Sequence, residues 1–143
     1  MRVWPTDIDF NRHMNNSRYL LYMDYARVHL LASTGMLDLA LNRRWVPLIG
    51  GVDITFRRSL EVFDRFTLTS RNLCWDEKWF YAEQRFTFAG GLAAVASVKA
   101  LLRDGGSNVP PQTVADLIEP GLVSPPVAEE LTQWNAITRE RLR

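Results

Sequence analysis

One cysteine among 143 residues, Cys74, leaves no partner for an internal disulfide, so the chain reads as one made for a reducing compartment. No apolar run reaches the ~18 residues that span a bilayer, and Met1 is not followed by the pattern of a secretory leader. A cytoplasmic location without a transmembrane segment is the expectation. Neither sign of charge is in excess: 17 Lys and Arg against 16 Asp and Glu leave +1, without the basic surplus of a nucleic-acid binder. There is no internal repeat and no low-complexity block. What is present is an ordinary globular composition, 47% hydrophobic and 23% charged, in a length that makes one domain with a sizeable core.

Hydrogen-bonding chemistry is concentrated in one stretch, Asp9-Phe10-Asn11-Arg12-His13-Met14-Asn15-Asn16, directly before a long apolar segment. Asn15 or Asn16 supplies a side-chain oxygen to cap the helix that follows. That helix end also offers free backbone N–H groups and a partial positive charge, which suit an anion or a developing oxyanion. The spacing predicts a helix over 16–34, closed by Gly35 as C-cap. Tyr19, Met23, Ala26 and Leu30 share one face, with Leu20, Arg27 and Leu31 beside them. This wide apolar arc predicts a mostly buried helix. Arg18, Tyr22, Tyr25 and His29 form a more polar stripe, and His29, about three turns in, lies far from the helix start. The tyrosines read as core and interface packing, and a shorter helix over 37–42 follows.

At the amino end, Arg2-Val3-Trp4 reads as a stunted strand stopped by Pro5, which has no donor for a ladder. From Trp45 the period changes to two. Val52, Ile54 and Phe56 alternate with Asp53, Thr55 and Arg57; 66–75 is a second strand, turning at Asp76-Glu77-Lys78. Phe80, Ala82, Gln84, Phe86 and Phe88 alternate with polar neighbours in a third, and Gly90-Gly91 makes a hairpin turn. The run 92–102 is nearly all apolar and is expected to be the most buried strand, ended by Asp104-Gly105-Gly106. Beyond it, Pro110, Pro111, Pro120, Pro125 and Pro126 suggest an irregular tail, with a last helix over 127–141. A long helix followed by an antiparallel meander gives an α+β layer fold, the sheet curled round the helix.

The run Asp7-Ile8-Asp9-Phe10-Asn11-Arg12-His13-Met14-Asn15-Asn16-Ser17-Arg18-Tyr19-Leu20 resembles the hotdog-fold acyl thioesterases. It is similar both to the 4-hydroxybenzoyl-CoA thioesterase-like enzymes and to the plant acyl-carrier-protein thioesterases. Ile54-Thr55-Phe56-Arg57-Arg58-Ser59-Leu60 is similar to the family's strand at that place. Trp75-Asp76-Glu77-Lys78-Trp79-Phe80-Tyr81 resembles the thioesterase-superfamily-member proteins of animals and their bacterial relatives. The resemblance covers roughly 3–104, so a hotdog domain is expected over 1–108, with 109–143 as a tail and helix packed on it. It implies hydrolysis of an acyl-CoA or acyl-carrier-protein thioester. Asp9 would be nucleophile or general base, Asn11 its positioning partner, His13 a proton donor or relay, and the backbone N–H of Asn16 the oxyanion donor. Coenzyme A enters only as part of the substrate, and no other cofactor or metal is implied. A homodimer or dimer of dimers is implied too, with Trp75, Trp79 and Phe80 exposed at the interface and the acyl chain between one subunit's helix and the other's sheet.

Plainer readings stand beside these. Asp9 alternatively makes only an Asx-turn, and His13 only pins the loop. The side chains of Asn15 and Asn16 read as caps and braces. Cys74 reads as a small buried apolar residue, and Arg57, Arg58 and Arg103 as a solvated strand edge rather than contacts to coenzyme A phosphates. Arg12 stands where many relatives carry Gly, and Asp53 is the nearest downstream acid. A non-catalytic acyl-binding scaffold is the alternative function; a hydratase or dehydratase fits the Asn-Asn helix start poorly. An open cavity at Asp9 favours the thioesterase, and one plugged by Arg12 or the tail favours the scaffold.

Overall fold

The alternating segments pair into one antiparallel sheet in the computed structural model, which describes residues 1–143. Its main strands are β1 (Val46–Phe56), β2 (Phe66–Trp75), β3 (Phe80–Phe88) and β4 (Gly91–Asp104), in the order β1-β4-β3-β2. A short β5 (Ser107–Val109) folds back on the end of β4. The apolar run thus becomes the inner strand β4, paired on both edges. Both of its faces are covered, which is why it lacks the polar alternation of its neighbours. Gly91, at φ 105, turns the β3–β4 hairpin in a backbone region that side chains disfavour.

Helix α1 (Asn16–Ser33) crosses the concave face. Ala94, Ala96 and Val98 of β4 are fully buried beneath it and share a core with Tyr19, Met23, Phe66 and Phe86. Tyr19 meets Phe86 edge-on at 4.8 Å and Tyr22 meets Phe66 at 5.2 Å, the arrangement aromatic quadrupoles favour. Gly35, at φ 77, ends this helix and opens α2 (Met36–Arg43).

Several expectations need correction. The 2–4 segment forms only one bridge, Arg2 to Arg65, and a short 3-10 turn over Pro5–Asp7 follows. Of α1, only Tyr19 and Met23 are fully buried, while Leu20 and Val28 stay exposed. The helix leans mainly on β2 and α2 and meets β1 where Tyr19 packs on Phe56. The proline-rich tail is not irregular throughout, since α3 (Pro111–Ile118) begins at Pro111. Proline is well suited to a first helical turn, where its missing N–H would find no partner.

The tail also changes the setting of the strand aromatics. Trp75, Trp79 and Phe80 are half-buried rather than exposed. The Trp75 indole donates to Gln112 Oε1 of α3 at 3.0 Å. Helix α4 (Glu129–Arg141) lies on the other face of the sheet, where Leu131 packs on Cys74 and Tyr81. Lys99 of β4 is 1% exposed and lies between the rings of Trp79 and Trp134, at 5.3 and 4.7 Å. It donates to Asn135 Oδ1 at 3.2 Å. On the same face Trp79 presses on β1 so closely that a Cβ at Gly50 would fall 2.1 Å from its ring. The β1 register shifts between Ile49 and Gly51 at this point. Strand β1 is an edge, and Val46, Leu48, Ile49 and Phe56 along it are exposed. No helix is long and apolar enough to cross a membrane.

Candidate active site

The loop before α1 is held by its own backbone. Asp9 N–H donates to the His13 carbonyl at 2.9 Å and Arg12 N–H returns to the Asp9 carbonyl at 3.0 Å, closing a tight turn. Arg12 sits there at φ 64, a conformation glycine takes without strain. Met14 N–H donates to Leu60 at 2.7 Å, and His13 bridges Glu61. The stretch is therefore stitched to the segment that follows β1.

Asp9 Oδ1 accepts the Asn11 N–H at 2.8 Å. The Asx-turn is therefore real, but it occupies one carboxylate oxygen; Oδ2 makes no hydrogen bond within the chain. Asn15, rather than Asn16, is the N-cap, its Oδ1 accepting from Ser17 N–H at 2.9 Å. Asn16 is the first helical residue, and its N–H is left without a partner in the chain. The His13 backbone pins the loop, whereas its exposed imidazole bonds to nothing in the chain.

Asp9, Asn11, His13 and Asn16 all line one open cavity of about 370 Å³. Tyr19 and Phe56, with ring centres 5.0 Å apart, form its apolar wall. Arg57 and Arg58 line it as well. They are exposed, as a solvated edge requires, yet they border the site, and Arg58 also donates to the Gly90 carbonyl. Neither Arg12 nor any tail residue belongs to the lining; Arg103, Asp53 and His29 also lie elsewhere. Cys74 is buried under α4, and burial pushes its thiol up.

Asp7, to which the motif assigned no role, anchors the base of the loop. Its carboxylate is buried and accepts from Trp4 N–H at 2.9 Å and from the Tyr22 hydroxyl at 2.8 Å. Arg18 Nε lies 3.4 Å from its other oxygen, and its carbonyl accepts the N–H of the capping Asn15 at 2.8 Å. Burial, aided by the Asp7 carboxylate, pushes the Tyr22 hydroxyl up to about 12. Arg18 and Tyr22 stand four residues apart on the polar stripe, so one carboxylate reaches both. That spacing was the available signal.

A second recess of about 280 Å³ opens further along α1, between Val28 and Leu31 of the helix and Ile49, Phe80 and Ala100 of the sheet. Its wall is mostly apolar, interrupted by Asp24, Arg27 and Asn72.

An antiparallel sheet wrapped around one long helix, with this polar loop at the helix start, is the hotdog fold. Residues 3–134 match the profile of the thioesterase-like superfamily, and the chain belongs to that family. Among its relatives is Protein THEM6 of Xenopus laevis, 35% identical over 132 residues, which cover 92% of this chain and 63% of that protein. The chain thus spans less than two thirds of this curated relative's length. In fold it is similar to YbaW, a probable thioesterase from Escherichia coli, with TM-score 0.77 and 20% identity over 86% of this chain and 96% of that one. It is also similar to SAV2348 of Staphylococcus aureus, solved in complex with CoA, with TM-score 0.72 and 20% identity over 92% and 88% of the two chains.

Proposed function

We propose that the chain is an acyl-CoA thioesterase with Asp9 at its reacting centre. One observation carries this reading. The free Oδ2 of Asp9 and the free N–H of Asn16, at the positive end of α1, line the same open cavity. A thioester carbonyl seated between them meets a carboxylate on one side and an oxyanion donor on the other. Asp9 attacks the carbonyl to give a mixed anhydride, which water then opens, or it takes a proton from an attacking water. In both routes the carbonyl oxygen gains charge that the Asn16 N–H receives, and the thiolate of the carrier leaves. Asn11 N–H orients the carboxylate, and His13 carries protons at the exposed rim.

The binding-only alternative calls for a blocked cavity, and neither Arg12 nor the tail enters this one. Family membership and the CoA complex of the S. aureus relative in fold support a coenzyme A thioester. Arg57 and Arg58 at the rim suit its phosphates. The acyl group runs along the groove between α1 and β1 into the apolar recess, and a second copy covers that groove.

Free-thiol release from acyl-CoAs of increasing length tests the reading. Turnover is expected to fall at least ~100-fold in Asp9→Ala, a loss of about 2.7 kcal/mol. Turnover that survives the substitution removes Asp9 from the chemistry. An absence of turnover with every acyl-CoA and acyl-carrier-protein thioester sinks the enzyme.

A further inference from the structure

The apolar recess contains a cation that the fold alone does not require. Arg27 lies on α1 eight residues past Tyr19, about 12 Å further along the helix. Its side chain is only 13% exposed. Nη1 donates to Gln84 Oε1 at 2.9 Å, and Nη2 pairs with Asp24, whose own side chain is 62% exposed. Nε makes no hydrogen bond within the chain.

A tether between α1 and the sheet would be the plain explanation, but that tether already exists without Arg27. Gln84, fully buried on β3, donates through its amide to the Met23 carbonyl of α1 at 3.1 Å and to Ser70 Oγ at 2.9 Å. Arg27 adds to this link a guanidinium that must be desolvated, and burial lowers its pKa accordingly. An apolar side chain of similar length would line the same wall without that cost. Asn72 of β2, an exposed residue with no side-chain hydrogen bond in the chain, adds a second polar group at the solvent-facing rim of the recess.

We infer that Arg27, with Asn72, selects acyl groups that carry a hydrogen-bond-accepting oxygen at the end remote from the thioester, over plain alkyl chains of the same length. Because Asp24 already balances the charge of Arg27, a neutral acceptor such as a hydroxyl suffices. A site built to bond such an oxygen rejects the analogue without it, since the Arg27 Nε then faces methyl groups with its hydrogen bond unmade. The helical distance places this selection in the medium chain-length range. The inference rests on the thioesterase reading for where the acyl group begins, and it is tested both with and without turnover.

The matched pair is octanoyl-CoA and ω-hydroxyoctanoyl-CoA. The wild-type chain is expected to favour the hydroxylated substrate at least ~10-fold in kcat/KM. In Arg27→Met that ratio falls toward one, and in Arg27→Lys, which keeps a donor, part of it returns. Melting temperatures of both variants establish that they fold. A wild-type preference for octanoyl-CoA, or a ratio unchanged in a folded Arg27→Met, overturns the inference. The same pair made as non-hydrolysable thioethers is compared by calorimetry, which requires no catalysis. If no acyl-CoA is turned over, the enzyme reading fails, while tighter binding of the hydroxylated thioether, lost in Arg27→Met, still supports the role of Arg27. Equal binding of the two thioethers overturns that role whatever the activity.

Discussion

At the scale of single residues, the motif loop was legible because its chemistry is local. An acid, amides and an imidazole within eight positions of a helix start can only crowd around that start. The role of Asp7 was not legible, because it depends on which side of α1 faces the loop, a fact of packing. Asp7 sets the loop against the helix through Arg18, Tyr22 and the Asn15 N–H. Asp7→Asn keeps the size of the side chain but removes its charge from a buried site with three donors. It is expected to cost about 1–3 kcal/mol in stability, measured by urea unfolding, and to lower kcat more than it raises KM. Equal effects on both parameters would speak against a positioning role. Tyr22 gives the linked pH effect. Its pKa rises on folding from 10 to about 12, so its contribution is complete below pH 10 and is lost as pH rises through about 12. Unfolding followed between those values should show a shallower alkaline decline in Tyr22→Phe.

At the scale of elements, the strands, α1 and the last helix α4 match the reading of the sequence, whereas α3 does not. Proline-rich composition reads as irregular chain, yet Pro111 opens a helix because its position at the first turn wastes no donor. The strand aromatics depart from the expected exposure for a related reason. Alternation shows which side of a strand Trp75 and Phe80 occupy, but not that α3 comes back over Trp75 and α4 over Trp79 in the turn between β2 and β3. Helix α4 presents little apolar surface of its own, with Leu131 and Asn135 buried. Trp134, half-buried beside them, packs its ring on Lys99 at 4.7 Å. Lys99 has no carboxylate partner, and burial lowers its pKa, so the ammonium is the costly member of the cluster. Lys99→Met is therefore expected to be neutral or mildly stabilising in thermal unfolding. Trp134→Ala should destabilise by up to about 3 kcal/mol, with faster hydrogen exchange confined at first to α4 and β1. If Lys99→Met proves as damaging as Trp134→Ala, the cation is what holds the helix.

At the scale of the whole molecule, one edge is unfinished. Strand β1 offers a free row of backbone groups, flanked by exposed Val46, Leu48, Ile49 and Phe56. Bare edges of this kind invite pairing unless charge or proline blocks them, and here Pro47 is the single proline and Asp53 the single charged residue in the strand. Two copies paired through β1 about a two-fold axis perpendicular to the sheet make one continuous antiparallel sheet with both α1 helices on the same face. Each helix then lies beside the other's open flank, where Leu20 and Val28 are exposed. The groove that leads from Asp9 toward the apolar recess gains a roof. Association and catalysis should accordingly fail together. Light scattering is expected to give twice the 16.5 kDa chain mass, and Leu48→Lys with Val46→Lys should return the single-chain value. Those positions line neither the Asp9 cavity nor the recess, so a folded monomeric variant that lost acyl-CoA turnover would tie activity to the covered groove. A monomeric variant with full turnover would mean that each chain's groove works alone.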